Sequence, residues 1–158
     1  MVDAARRGFL RGRPRPKAEP RPPWARPEAA FLDLCTRCRD CLPVCPQRLL
    51  VSGDGGYPTL DFRLGECTFC AACVAACEPR ALLRREDEAP WPYKAQASPA
   101  CLPAKGIECR VCGDYCAESA IRFPPRLGGS PMPEIDAGRC NGCGACVAPC
   151  PVDAIRIG

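Results

Sequence analysis

The sequence predicts an α+β chain made of two small tandem units. Three observations carry that prediction. Sixteen of the 158 residues are cysteine, and they fall in four runs. Cys67, Cys70, Cys73 and Cys77 map onto Cys140, Cys143, Cys146 and Cys150 with a constant offset of 73, and Cys38, Cys41 and Cys45 map onto Cys109, Cys112 and Cys116 with an offset of 71. Constant offsets mark an internal repeat. Short apolar stretches broken by Gly and Pro separate the runs, and their lengths suit small strands rather than long helices.

The elements follow in chain order. Residues 1–29 form a basic arm with six prolines between Pro14 and Pro27, a composition that predicts disorder. Residues 1–30 carry eight Lys/Arg against three Asp/Glu, whereas residues 31–158 carry 14 against 15, so the formal charge of +4 belongs to the arm. AFLDL predicts a short helix leading into the first run. RLLVS and TLDFRL flank GDGGYP, a hairpin signal, and AIRF and PEID flank the turn-rich PPRLGGSPM. ALLRR and AIRI read as further short strands. The first unit spans 30–88 and the second 101–158, with 89–100, the end of the charged, proline-rich stretch REDEAPWPYKAQASPA, as a linker.

Near the start stands Arg6-Arg7-Gly8-Phe9-Leu10-Arg11, which looks like a twin-arginine export address. An export signal needs an apolar run of roughly 7–15 residues after its cations. Here Gly12 to Pro20 alternates cations with prolines instead. The chain therefore reads as cytoplasmic, with no segment approaching the roughly 20 apolar residues of a membrane span. Cytosolic thiols are kept reduced, so metal binding replaces disulfides as the expected use of the cysteines. With no histidine in the chain, Cys₂His₂ zinc sites, Rieske centres and imidazole-based catalytic dyads are excluded. The arm's separated cations, with Phe9 and Trp24 as its only aromatics, give little support to nucleic-acid binding. No nucleotide loop or substrate-pocket motif appears, and the chain does not read as an enzyme.

The runs are CTRCRDCLPVCP (Cys35, Cys38, Cys41, Cys45), CTFCAACVAACEP (Cys67, Cys70, Cys73, Cys77), CLPAKGIECRVCGDYC (Cys101, Cys109, Cys112, Cys116) and CNGCGACVAPCP (Cys140, Cys143, Cys146, Cys150). Three of them match C-x₂-C-x₂-C-x₃-C, the bacterial run that holds [4Fe–4S] clusters. Cysteines every third residue aim three sulfurs at one cube, and the fourth, a helical turn on, points away to ligate the other cluster. Gly142 and Gly144 let the backbone approach closely.

The expected ligand sets therefore cross. Cys35, Cys38, Cys41 and Cys77 serve one cluster, and Cys67, Cys70, Cys73 and Cys45 the next. Cys101, Cys109, Cys112 and Cys150 serve a third, and Cys140, Cys143, Cys146 and Cys116 the fourth. The third run leaves two alternatives open. Seven residues separate Cys101 from Cys109 where two are usual. A longer loop still returns Cys101 to the vacant corner at small entropic cost; otherwise Cys101 is free and the site holds three irons or a labile fourth.

The expected fold is a duplicated two-cluster bacterial ferredoxin-like unit. Taken together, ARRGFLRG, RPPW, CTRCRDCLPVC, GGYP, ECTFCAAC, ECRVC and CNGCGACVAPCPVDAI resemble the NapF family, ferredoxin-type proteins of periplasmic nitrate reductase systems. The second run departs by ending CEP. The resemblance implies a cytoplasmic iron–sulfur protein whose partner is the catalytic subunit of periplasmic nitrate reductase, before export. It implies help in loading or reducing that subunit's cluster. An electron carrier with resident clusters is the competing reading, since the same thiolates serve both. The Arg6-Arg7 arm either docks on the target or on a shared chaperone, or only solubilises.

Overall fold

A computed structural model of the chain describes residues 19–158. Its regular elements are short. Helix α1 (Glu28–Leu34) leads into the first run, and strands β1 (Leu50–Ser52) and β2 (Pro58–Leu60) form the expected hairpin around GDGGYP. Helix α2 (Ala72–Ala75) lies within the second run, strand β3 (Ala95–Ala97) precedes the third, and helix α3 (Val111–Asp114) lies within it. Strands β4 (Ile121–Arg122) and β5 (Glu134–Ile135) pair, and β6 (Ile155–Ile157) closes the chain. Three antiparallel two-stranded sheets result: β1 with β2, β4 with β5, and β3 with β6. Among the described residues, no helix is long and apolar enough to cross a membrane.

Two expectations are corrected. The arm assigned to 1–29 is in its second part an ordered piece of the first unit. The backbone of Pro20 accepts bonds from Leu60 N–H and the Thr59 hydroxyl, Trp24 is buried, and Ala25 bridges Leu82 in antiparallel sense. Arg21 stacks over Phe31 (4.9 Å to the ring centroid) and makes a bidentate pair with Glu28 at 3.1 and 2.7 Å. The disorder and docking expected of residues 1–18, including Arg6-Arg7, lie outside the described residues.

The second correction concerns 89–100. That segment contains β3, whose register Ala95↔Ile157, Gln96↔Arg156 and Ala97↔Ile155 gives AIRI its partner. ALLRR, in contrast, contributes only the Leu82 bridge to Ala25 and no strand. Both units are thus closed by an extended N-terminal segment lying along their last apolar stretch.

The buried side chains form one cluster through both units, with Phe31, Leu49, Leu60, Phe62, Trp91 and Ile155 among cysteines from all four runs. Phe31 is 0% exposed and packs against Tyr57 with ring centroids 6.0 Å apart. Removing such a ring costs about 3–5 kcal/mol. Phe31→Ala is accordingly expected to lower the anaerobic melting temperature of the loaded protein by roughly 6–20 °C. Leu127→Ala, at a fully exposed position, is expected to leave it unchanged within a degree or two. Scanning calorimetry on both variants checks the pair.

Candidate metal centres

The cysteine loops owe their shape to backbone conformations that side chains rarely adopt. In the first run Arg37 and Arg39 have φ of 62° and 71°; in the second, Phe69 and Ala71 have 53° and 60°; in the fourth, Gly142 and Gly144 have 77° and 83°. Each of these three runs therefore places left-handed residues immediately before and after its second cysteine. Alternation of this kind turns successive N–H groups to one side and makes a nest for an anionic group. For an L residue the left-handed region costs about 1–2 kcal/mol. Strain at Arg37, Arg39, Phe69 and Ala71 points to a function that holds the loops in place.

In the fourth run, glycine is required twice over. A Cβ on Gly144 would overlap the ring of Phe62, and one on Gly142 would overlap the carbonyl of Tyr93 and the indole of Trp91. The third run departs from the pattern, as its spacing foretold. Its left-handed residue is Gly106, φ 78°, which ends a 3₁₀ turn over Leu102–Lys105 directly after Cys101.

A second motif follows the fourth cysteine of every run. Arg48, Arg80, Ser119 and Asp153, each three residues on, are left-handed with φ between 48° and 55°. Their N–H groups bond back to the carbonyls of Cys45, Cys77, Cys116 and Cys150 at 3.0, 3.1, 2.9 and 3.4 Å. The next residue in each case, Leu49, Ala81, Ala120 or Ala154, is no more than 1% exposed. This turn anchors the fourth cysteine to the core. It forms after CP, CE and CA alike, so the proline missing from the second run is not what makes it.

The sulfurs also receive backbone donors. Leu82 N–H reaches Cys77 Sγ at 3.4 Å, Ala120 N–H reaches Cys116 Sγ at 3.3 Å, and Ala154 N–H reaches Cys150 Sγ at 3.2 Å. Phe69 N–H and Ala95 N–H do the same for Cys67 and Cys140, both at 3.4 Å. Donors to sulfur stabilise the thiolate form that metal ligation needs.

All sixteen cysteines are free thiols, and they line four cavities of about 310–370 Å³ that open to solvent. Cys35, Cys38, Cys41 and Cys77 line one, and Cys45, Cys67, Cys70 and Cys73 a second. Cys116, Cys140, Cys143 and Cys146 line a third, and Cys101, Cys109, Cys112 and Cys150 the fourth. Each cavity thus gathers three cysteines of one run and the fourth of its neighbour. Cys101, whose place the spacing left open, is buried and stands with Cys109, Cys112 and Cys150.

The donor set and the geometry fit a multi-iron group. Among the described residues, no three Cys, Asp or Glu side chains close tightly enough to hold a single metal ion. The four-cysteine sets stand instead around the walls of larger cavities. In the absence of metal the thiols resist ionisation: burial pushes Cys41, Cys73 and Cys146 up to about 12 and Cys67 and Cys112 up to about 11. Neighbouring cysteines add to the rise, and Cys101 and Cys143 move the same way. Bound metal deprotonates a coordinating thiol outright. Loading therefore releases protons, and a falling pH works against it.

The rims differ. Cys38 and Cys70, the second cysteines of the first two runs, are exposed. Cys143, at the matching place in the fourth run, is only half-buried, between two buried glycines covered by Phe62, Tyr93 and Trp91. Trp91 and Phe62 escaped the sequence reading. The one signal for Trp91 was an aromatic cluster, Trp91 and Tyr93, inside a segment otherwise typical of a linker.

Comparison with known proteins identifies both units. Two family models described as 4Fe-4S dicluster domains match residues 34–83 and 105–154. The ferredoxin-type protein NapF of Escherichia coli K12 is 44% identical over 155 residues, covering 98% of this chain and 94% of its own. NapF of Haemophilus influenzae is 49% identical over 137 residues, covering 87% of this chain and 77% of its own. The methylamine utilization ferredoxin-type protein MauM of Methylobacillus flagellatus is 32% identical, covering 94% and 72%. Two tandem dicluster domains and sixteen cysteines make this a protein of several [4Fe–4S] clusters, a count consistent with four. The chain belongs to the NapF family of ferredoxin-type iron–sulfur proteins.

Proposed function

We propose that each cavity is the site of one [4Fe–4S] cluster, held by the four cysteines that line it, and that the protein is a cytoplasmic factor rather than an enzyme. In this reading it assists maturation of the periplasmic nitrate reductase catalytic subunit, loading or reducing that subunit's cluster before export. When bound, such a cluster takes up and gives up single electrons. The residues supply thiolates, backbone donors and a fixed loop shape.

The observation that carries the reading is the exposure of Cys38 and Cys70. Exposed Cys38 and Cys70 leave the first unit's sites open to a macromolecular partner, while the glycines on either side of Cys143 are covered. The two NapF relatives are 44% and 49% identical to this chain and MauM is 32% identical, which favours the nitrate reductase system over the methylamine system. The carrier reading is favoured by a different observation, the backbone contact between the second and fourth cysteine loops. Mixing anaerobic, iron-labelled protein with cluster-free catalytic subunit separates the two. Label and activity appearing together in the subunit support loading. Label retained while the subunit's cluster becomes reduced supports electron delivery, and neither event in the presence of a bound complex defeats both.

Crossed ligation has its own genetic signature. Cys38→Ala and Cys77→Ala lie in different runs but touch one cavity. The double variant is expected to lose no more iron than either single variant. Cys45→Ala with Cys77→Ala, two cysteines lining neighbouring cavities, is expected to lose twice as much. Iron and sulfide analysis of the purified variants reads the result, and additive losses for Cys38 with Cys77 would contradict the assignment.

A further inference from the structure

The two units meet through the loops that carry the cysteines. The peptide N–H of Cys67 donates to the carbonyl of Cys143 at 2.8 Å. Cys67 lines the cavity of Cys45, Cys70 and Cys73, and Cys143 lines that of Cys116, Cys140 and Cys146. One hydrogen bond therefore joins a wall of one site to a wall of another, across the boundary between the repeats.

Close packing surrounds this bond. Phe62 of the first unit lies on Gly144, where any side chain would overlap its ring. Trp91 Nε1–H donates to the carbonyl of Asn141 at 3.0 Å. The Trp91 ring stands edge-on to Phe62 at 6.0 Å and to Phe69 at 5.2 Å, which ties both cysteine loops to one aromatic cluster. Buried rings at this seam exclude water and fix the spacing.

Within each unit, the neighbouring site is one turn of chain away. Cys41 and Cys45 line different cavities, and so do Cys73 and Cys77. Cys112 and Cys116, and Cys146 and Cys150, do the same in the second unit. The sites consequently fall in the order Cys38, Cys70, Cys143, Cys109, naming each by one of its cysteines.

We propose that the four sites form a single linear array, with the Cys67–Cys143 peptide contact at its centre and Trp91 and Phe62 as the residues that position the two inner sites. The inference rests on the four-site reading above. It gives a partner docked at exposed Cys38 or Cys70 access to a continuous row of sites ending at Cys101 and Cys109, where two independent two-site units would not.

The test uses the full chain, reconstituted anaerobically and reduced with dithionite. Cys38→Ala combined with Cys109→Ala removes one cysteine from each outer site and leaves both inner sets complete. Iron and sulfide counts then report whether both inner sites are loaded, independently of any magnetic readout. With both loaded, electron paramagnetic resonance is expected to show split, broadened signals from two interacting centres. Adding Phe62→Ala and Trp91→Ala is expected to reduce the splitting at least twofold. Two unsplit signals with the relaxation of isolated centres, at full inner loading, overturn the array and leave the site assignment standing. Failure of the inner sites to load counts against the site assignment and removes the array with it. Should the aromatic variant shed iron, pulsed measurement of the mutual relaxation enhancement in the Cys38→Ala, Cys109→Ala protein decides the question alone.

Discussion

Stripping iron from the loaded protein with a strong chelator, under reducing and anaerobic conditions, is expected to unfold it. The reason lies in how little else holds the chain. No strand among the described residues exceeds three residues, and no helix exceeds seven. Helices of that length are unstable on their own, and a lone two-stranded hairpin is marginal at best. The shared core contains few large side chains, and cysteines from all four runs are counted within it. Remove the metal, and the four cavities those thiols line lose the bonds that tie one run to the next, while Arg37, Arg39, Phe69 and Ala71 keep their left-handed strain. Small metal domains commonly derive their folding free energy from the metal for such reasons. Circular dichroism should lose its near-ultraviolet signal and most of its far-ultraviolet signal together with the iron. A chelated chain that still melts in a sharp cooperative transition would show that the polypeptide core suffices.

Gly144→Ala is the second large effect. Left-handed backbone at φ 83° costs alanine about 1–2 kcal/mol. The added methyl also meets the ring of Phe62, in a seam with no room to give, and overpacking of that kind costs about 1–3 kcal/mol more. The sum, about 2–5 kcal/mol, is a large part of the roughly 5–15 kcal/mol that ordinarily separates folded from unfolded chains. Gly128 provides the matched control. Its φ is 73°, yet a Cβ there meets nothing within 4 Å. Gly128→Ala is therefore expected to lose only the conformational part, about 1–2 kcal/mol. Calorimetry on both variants, with iron content measured beside it, isolates the packing at the seam. Equal losses would mean that the contact with Phe62 contributes nothing.

Much of the site was legible because cysteine spacing is dictated by the shape of a cube and leaves little freedom. The crossed grouping of Cys77 with Cys35, Cys38 and Cys41 follows from a fourth cysteine placed one turn on, and the cavities gather those residues. The hairpin of Leu50–Ser52 with Pro58–Leu60 was legible from its glycine-rich turn. What escaped was the closing edge of each unit. Proline-rich sequence resembles linker, because proline cannot donate to a sheet; an edge position tolerates that defect. Ala25 and Gln96 stand 71 residues apart, the same offset as Cys38 and Cys109, and each pairs with the last apolar stretch of its unit. Extending the repeat beyond the cysteines would have found both.

The left-handed Arg37, Arg39 and Phe69 were beyond reach for another reason. Nothing in the chemistry of arginine or phenylalanine signals positive φ, so the conformation is imposed from outside, by what the loop surrounds. The seam between units was hidden for a similar reason: Trp91 and Phe62 lie in different repeats, and no local pattern links them.

Iron-edge anomalous diffraction from crystals grown and mounted anaerobically locates the irons and the sulfurs that bind them. Four compact iron sites in a row are expected, with Cys77 Sγ bound at the site of the first run, Cys45 Sγ at the site of the second, and Cys101 Sγ completing the last. A site bound by Cys35, Cys38, Cys41 and Cys45 together, or iron absent beside Cys101, would contradict this arrangement.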